Sequence, residues 1–101
     1  INGLKMFRTP NYSINNNWMN ILILDKYKFS RDELLKIFIK NMTEVRPVWY
    51  LNHQHKMFKK YQNYKIYNAK KLLANSLCLP SSSGLLIKEI KKIINILKIN
   101  A

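Results

Sequence analysis

The stretch Ser76 to Leu97, SLCLPSSSGLLIKEIKKIINIL, sets the architecture of the chain. Its first five residues, Ser76 to Pro80, are too few for a helix, mostly apolar and closed by a proline, which reads as a short strand. Ser81-Ser82-Ser83-Gly84 is turn chemistry. Beyond it Leu86, Ile90, Ile93, Ile94 and Leu97 fall at i, i+4, i+7, i+8 and i+11, the spacing of an amphipathic helix.

Working back toward the N-terminus, Tyr64 to Asn75 repeats a helical spacing at Ile66, Ala69, Leu72 and Leu73, with lysines opposite. Asn52 to Asn63 is polar and aromatic, a loop with a short helical turn. Thr43 to Tyr50 (TEVRPVWY) is extended, because Pro47 keeps Arg46 out of the helical region, and the proline puts this strand at an edge or at its end. Ser30-Arg31-Asp32-Glu33 is a capping box that opens a helix running to about Asn41, with Leu34, Leu35, Ile37, Phe38 and Met42 on its apolar side and Phe29 as a hydrophobic staple. Trp18 to Leu24 (WMNILIL) is a buried strand. Residues 1–17, with Gly3, Pro10 and three successive asparagines, form an irregular lead-in. Alternating short strands and helices give an α+β fold: a small three-stranded, mainly antiparallel sheet with helices packed on one face. A doubly wound parallel sheet suits these strands less well, since an interior proline makes a poor fully buried parallel core.

The chain has 101 residues, 18 Lys and Arg against 5 Asp and Glu, and a formal charge of +13. One domain is all this length supports. Lys, Asn and Ile, all written with A/T-rich codons, supply much of the composition, and Lys outnumbers Arg 15 to 3, so coding bias explains much of the charge. Two glycines cannot make a phosphate-cradling glycine loop. No apolar run approaches the roughly 20 residues that span a bilayer, no signal-peptide pattern opens the chain, and the lone Cys78 suits a reducing compartment. A soluble cytoplasmic protein is expected. The start at Ile1, without an initiator Met, is that expected of a truncated or processed chain.

Few residues suggest chemistry. His53 and His55 with Cys78 lack the second close ligand pair of a structural zinc site. Cys78 lies in an apolar strand, where a thiol is inert core rather than a nucleophile. Asp32 and Glu33 are accounted for as favourable charges on a first helical turn. The sequons at Asn11 and Asn41 carry no meaning without a secretion signal. Lys56 to Lys71 (KMFKKYQNYKIYNAKK) interleaves rings and lysines as a single-strand nucleic-acid surface would, against the plainer reading of a solvated lysine-rich face. The C-terminal helix has the moment of a membrane-surface helix, or of one that docks on a partner, but a core-facing helix has the same moment. Arg46-Pro47-Val48-Trp49, with His53 four residues on, is the constellation hardest to explain by packing alone. It places a carboxylate- or phosphate-binding fork, a flat stacking ring and a hydrogen-bonding imidazole along one edge.

Taken in order, NNNWMNILIL (Asn15 to Leu24), SRDELLKIFIKNMTEVRPVW (Ser30 to Trp49), Asn52-His53 and Ser76 to Leu97 resemble the C-terminal small domain of the DegT/DnrJ-type sugar aminotransferases, with residues 1–17 leading in from a large domain and 18–101 forming the small one. The Tyr50 to His53 run is similar to the aminotransferases of legionaminic-acid and bacillosamine-like pathways. The resemblance implies a homodimeric enzyme dependent on pyridoxal phosphate that aminates nucleotide-linked keto-sugars, usually from glutamate, in surface polysaccharide or glycan biosynthesis. It also implies that the cofactor-bearing lysine, the aspartate on the pyridine nitrogen and the phosphate cup lie in the large domain, so that no catalytic or cofactor-binding residue is expected here. Arg46, Trp49 and His53 would border the substrate cleft, and Trp18 and Cys78 to Pro80 would be framework. Ser83 to Leu86 departs from the family's threonine-glutamate helix start, which weakens the cap there. The alternative expectation is a free-standing basic nucleic-acid-binding module; a membrane is not an expected partner.

Overall fold

The computed structural model describes residues 1–100. Its elements run β1 (Leu4–Met6), β2 (Asn20–Leu24), α1 (Arg31–Lys40), β3 (Arg46–Pro47), one 3-10 turn (Asn52–Gln54), α2 (Tyr67–Ala74), β4 (Ser76–Leu79) and α3 (Ile87–Ile99). The strands form one sheet in the order β1-β2-β4-β3, and every pairing is antiparallel. The fold is α+β as expected, with four strands rather than three.

The added strand, β1, lies in the segment expected to be irregular. Three residues are too few to show a period in sequence, and what fixes them is long-range. Gly3 takes φ +77° and its carbonyl accepts the Asp25 N–H at 2.7 Å, which sets Leu4 opposite Leu24. A Cβ on Gly3 would meet the Tyr27 backbone at 2.7–2.8 Å, so this turn needs glycine for both its dihedral and its space.

β2 begins two residues later than expected. The Asn15 and Asn16 side chains accept from the N–H groups of Asn17 (2.8 Å) and Trp18 (3.1 Å), and Asn17 sits at φ +55°. These local bonds compete with strand pairing and hold the lead-in as turns. β3 shrinks to two residues on the sheet edge. Proline has no N–H to continue the ladder, so pairing stops at Pro47 opposite Leu77.

Residues directly opposite across strands share a face, so Leu22, Leu24, Leu77 and Leu79 line one side of the sheet. Leu34 and Phe38 from α1, one turn apart, and Ile93, Ile96 and Leu97 from α3 close over that side, with Val45 completing the buried cluster. Phe38, Leu34 and Leu77 are wholly buried. α1 starts as predicted: the Ser30 hydroxyl accepts the Glu33 N–H, and Glu33 accepts the Ser30 N–H at 2.8 Å. Phe29, ahead of the cap, packs on the core. α3 has only half a cap, because Leu86 offers no side-chain acceptor and Glu89 alone reaches back to the Leu86 N–H at 2.7 Å. A second tie compensates at its far end, where the Tyr27 hydroxyl lies 2.8 Å from the Asn100 carbonyl and 3.2 Å from that of Leu97.

Two expected apolar stripes are only partly buried. Leu86, Ile90 and Ile94 stay substantially exposed while Ile96, outside the expected set, is buried, and Met42, expected on the apolar side of α1, falls beyond its end and is exposed. α2 buries no residue fully. It is tied in by the Arg31 guanidinium, which donates to the Leu73 carbonyl at 2.7 Å.

Gly3→Ala should destabilise the chain by at least about 1–2 kcal/mol, from the left-handed dihedral alone, and a lowered urea midpoint would register it. Hydrogen bonds from the Ser30 hydroxyl and backbone hold the Glu33 carboxyl below its ordinary value of 4.5. Folding lowers this pKa, so its stabilisation is complete above the unfolded value and is lost as pH falls through the folded one. The thermal midpoint should therefore drop on acidification below about pH 4.5, and drop less in Ser30→Ala across the same window.

Candidate functional site

The candidate site forms where the lead-in to β2, the edge strand β3 and the end of β4 converge. A cleft of about 320 Å³ is lined by Met19, Glu44, Val45, Arg46, Cys78, Leu79, Pro80, Ser81 and Ser82. Register explains the meeting: Arg46 stands opposite Cys78, and β4 continues through Leu79 into the serine turn beside β2. The Ser81 hydroxyl donates to the Trp18 carbonyl, fastening the turn to the lead-in. This bond ties the Trp18 backbone to a residue that lines the cleft.

Of the three expected site residues, Arg46 lines the cleft, Trp49 meets the Trp18 ring and His53 lies on the 3-10 turn. Trp49 is 62% exposed and faces Trp18, itself 67% exposed, with ring centroids 6.5 Å apart and planes tilted by 46°. Trp18 was expected as buried framework; it is instead a surface ring paired with the expected site tryptophan. Sequence reasoning missed this because WMNILIL reads as one apolar run, and only the three asparagines before it signal that the tryptophan falls in a turn. Arg46 donates from Nε to Glu44 Oε1 at 2.8 Å, and its Nη2 reaches the same oxygen. Both side chains are exposed, so this ion pair adds little stability. His53 sits half-buried on the 3-10 turn. Its neighbour His55 packs edge-on against Tyr50 at 6.5 Å.

Other candidates are settled by their surroundings. Cys78 is buried and burial pushes its thiol pKa up, away from thiolate chemistry. Among the described residues no three His, Cys, Asp or Glu side chains gather as a metal site. Between Lys56 and Lys71, Lys60 lies over the Tyr61 ring at 5.4 Å and Lys65 over Tyr64 at 5.0 Å, so rings and lysines are partly engaged with one another. Among the described residues no helix is long and apolar enough to cross a membrane.

All fifteen lysines are exposed. A lysine that carries pyridoxal phosphate needs a sheltered amine, with a carboxylate for the ring nitrogen and donors for the phosphate. The residues of this chain do not fit that group as its principal holder.

A sequence model of the DegT/DnrJ/EryC1/StrS aminotransferase family matches residues 2–98. The chain belongs to that family. Its fold matches DesI, crystallised in the presence of its TDP-sugar product, with a TM-score of 0.85 and 16% identity over 97% of this chain and 26% of that one. It likewise matches the aminotransferase TlmJ from Streptoalloteichus hindustanus with a TM-score of 0.82 and 14% identity, over 99% of this chain and 26% of that one. The chain thus spans about a quarter of the length of these solved structures. No curated protein matches it.

Coupling between the two indoles, which are the chain's only tryptophans, should appear as a near-ultraviolet circular dichroism couplet. Trp18→Phe or Trp49→Phe should abolish it while shifting stability by no more than about 0.5 kcal/mol, because both rings are mainly exposed.

Proposed function

We infer that this chain is the C-terminal small domain of an aminotransferase that moves an amino group, from glutamate, onto a nucleotide-linked keto-sugar for surface polysaccharide or glycan synthesis. The observation that carries the reading is the family match across residues 2–98, reinforced by a TM-score of 0.85 to an enzyme solved with a TDP-sugar. The exposure of all fifteen lysines supports a division of labour in which pyridoxal phosphate is held by the remainder of a longer, homodimeric, cytoplasmic enzyme, leaving this chain inactive alone. When bound, the cofactor acts as the electron sink for amino transfer.

Within this reading the small domain supplies one wall of the substrate cleft. Arg46 offers a planar fork to a carboxylate or phosphate, Trp49 offers a stacking face, and His53 offers an imidazole to sugar hydroxyls. Pro47 between the first two fixes φ and keeps them at a set spacing.

The test begins with the coding sequence upstream of Ile1. An open frame continuing into a lysine-bearing pyridoxal-phosphate domain is expected, and its product should convert glutamate and a nucleotide-linked keto-sugar to 2-oxoglutarate and an amino-sugar. Arg46→Gln should lower kcat/KM roughly tenfold or more, the scale of a lost charge-assisted hydrogen bond. A start codon preceded by unrelated sequence would overturn the reading, as would a full-length product without transaminase activity.

A further inference from the structure

The sheet face that carries the core is not closed along its whole width. Met6 of β1 stands opposite Leu22 and so shares the face that α1 and α3 cover, yet it is 47% exposed. Met6 and, from α3, Ile90 and Ile94 line a groove of about 460 Å³, and the buried core residues Leu22, Ile93 and Leu97 line it too. The groove is therefore an opening into the core. We propose that it seats apolar side chains of the large domain of the same polypeptide, the part that precedes Ile1 in the longer enzyme, and that this contact completes the core of the small domain. The proposal rests on the aminotransferase reading above and adds to it the place on this chain where the two domains meet.

Four features support it. First, no charged residue lines the groove, in a chain of which 23% is charged. The candidate cleft, by contrast, holds Glu44 and Arg46, and the hollow lined by β1, β2 and α2 holds Lys5, Asp25 and Lys71. A nucleic acid, an anionic membrane or an acidic peptide would be met by lysines here, whereas a permanently seated partner matches apolar surface with apolar surface, like a domain core cut in two. Second, this chain accounts for 26% of each solved structure it matches, so most of either polypeptide lies outside it and has to pack somewhere. Third, the groove lies close to where that polypeptide would enter. The Leu4 N–H donates to the Ile1 carbonyl at 3.2 Å, turning the chain directly onto β1, and Met6 follows within at most roughly 18 Å of chain from Ile1. Fourth, Pro80, Ser81 and Ser82 line the groove and the candidate cleft alike. The domain seated in the groove therefore abuts the turn that forms one wall of the cleft, which ties the domain contact to the shape of the site.

The experiment uses the product of the full reading frame and reads the groove in two ways. In the first, Ile90→Cys is labelled with a maleimide and compared with Ile99→Cys, which lies on the same helix, is 82% exposed and does not line the groove. The thiol at position 90 should react at least about tenfold more slowly in the native protein and equally fast in urea, since burial against a second domain leaves only transient opening. Met6→Cys supplies the same reading from the β1 side should the first variant lose its native circular dichroism. In the second, p-benzoylphenylalanine placed at position 90 should crosslink on illumination to a peptide from before Ile1, in a product of single-chain mass. Equal native labelling at positions 90 and 99 would overturn the proposal. So would a crosslinked product of doubled mass, which would make a second copy the occupant, or a crosslink confined to residues 1–101. Active transaminase with a freely labelled groove would reject this contact alone. A protected groove crosslinked to a preceding domain, in a product without transaminase activity, would reject the aminotransferase reading and leave the contact standing, whereas a reading frame that opens at Ile1 would end both.

Discussion

The pairing of β2 with β4, with Leu22 set opposite Leu77, is the constraint on which the rest of the structure depends. It puts two of the most buried side chains on one face of the central ladder and gives α1 and α3 a common surface to cover. A slip of one residue would turn Ser76 and Cys78 toward the helices and expose Leu77 and Leu79. The same register carries Arg46 to its place opposite Cys78 and brings the Ser81 turn back to Trp18. Core and candidate site are therefore two outcomes of one alignment.

Site and core nevertheless differ in what holds them. The core is fixed by close packing of Leu34, Phe38 and Leu77, none of which retains accessible surface. The site is held by single polar contacts: one serine hydroxyl on one carbonyl, and two asparagine side chains on two backbone amides. Such contacts are individually modest, and they position exposed rings without burying them. That arrangement keeps the two indoles accessible, at the expense of apolar surface left in water.

Helices were the most legible elements of the sequence, because the Ser30 to Glu33 capping box and the spacing of Ile93 and Leu97 are local signals that survive folding. Pro47 likewise announced an edge strand, and β3 is one. β1 was illegible: Leu4 to Met6 is too short for a period, and its cause is the approach of Gly3 to Tyr27, which no local reading contains. The exposure of Leu86, Ile90 and Ile94 was equally hidden, since a helical stripe shows which residues share a face but not how much of that face finds a neighbour. Residue type singled out Arg46, Trp49 and His53 as a candidate edge, and the resemblance set the same three beside a substrate cleft. The Trp18 pairing and the Glu44 partner needed the fold.

The two ends of the sheet have a consequence for how copies of this chain meet one another. Edge strands invite a neighbour to add its own backbone, the route by which sheets grow into fibrils. Here one edge is three residues long and carries Lys5, and the other is two residues long and contains a proline without an N–H. Neither offers a ladder long enough to template another strand. Even with aliphatic residues left bare on α3, self-association by sheet extension is closed off, and contacts between copies fall to side chains.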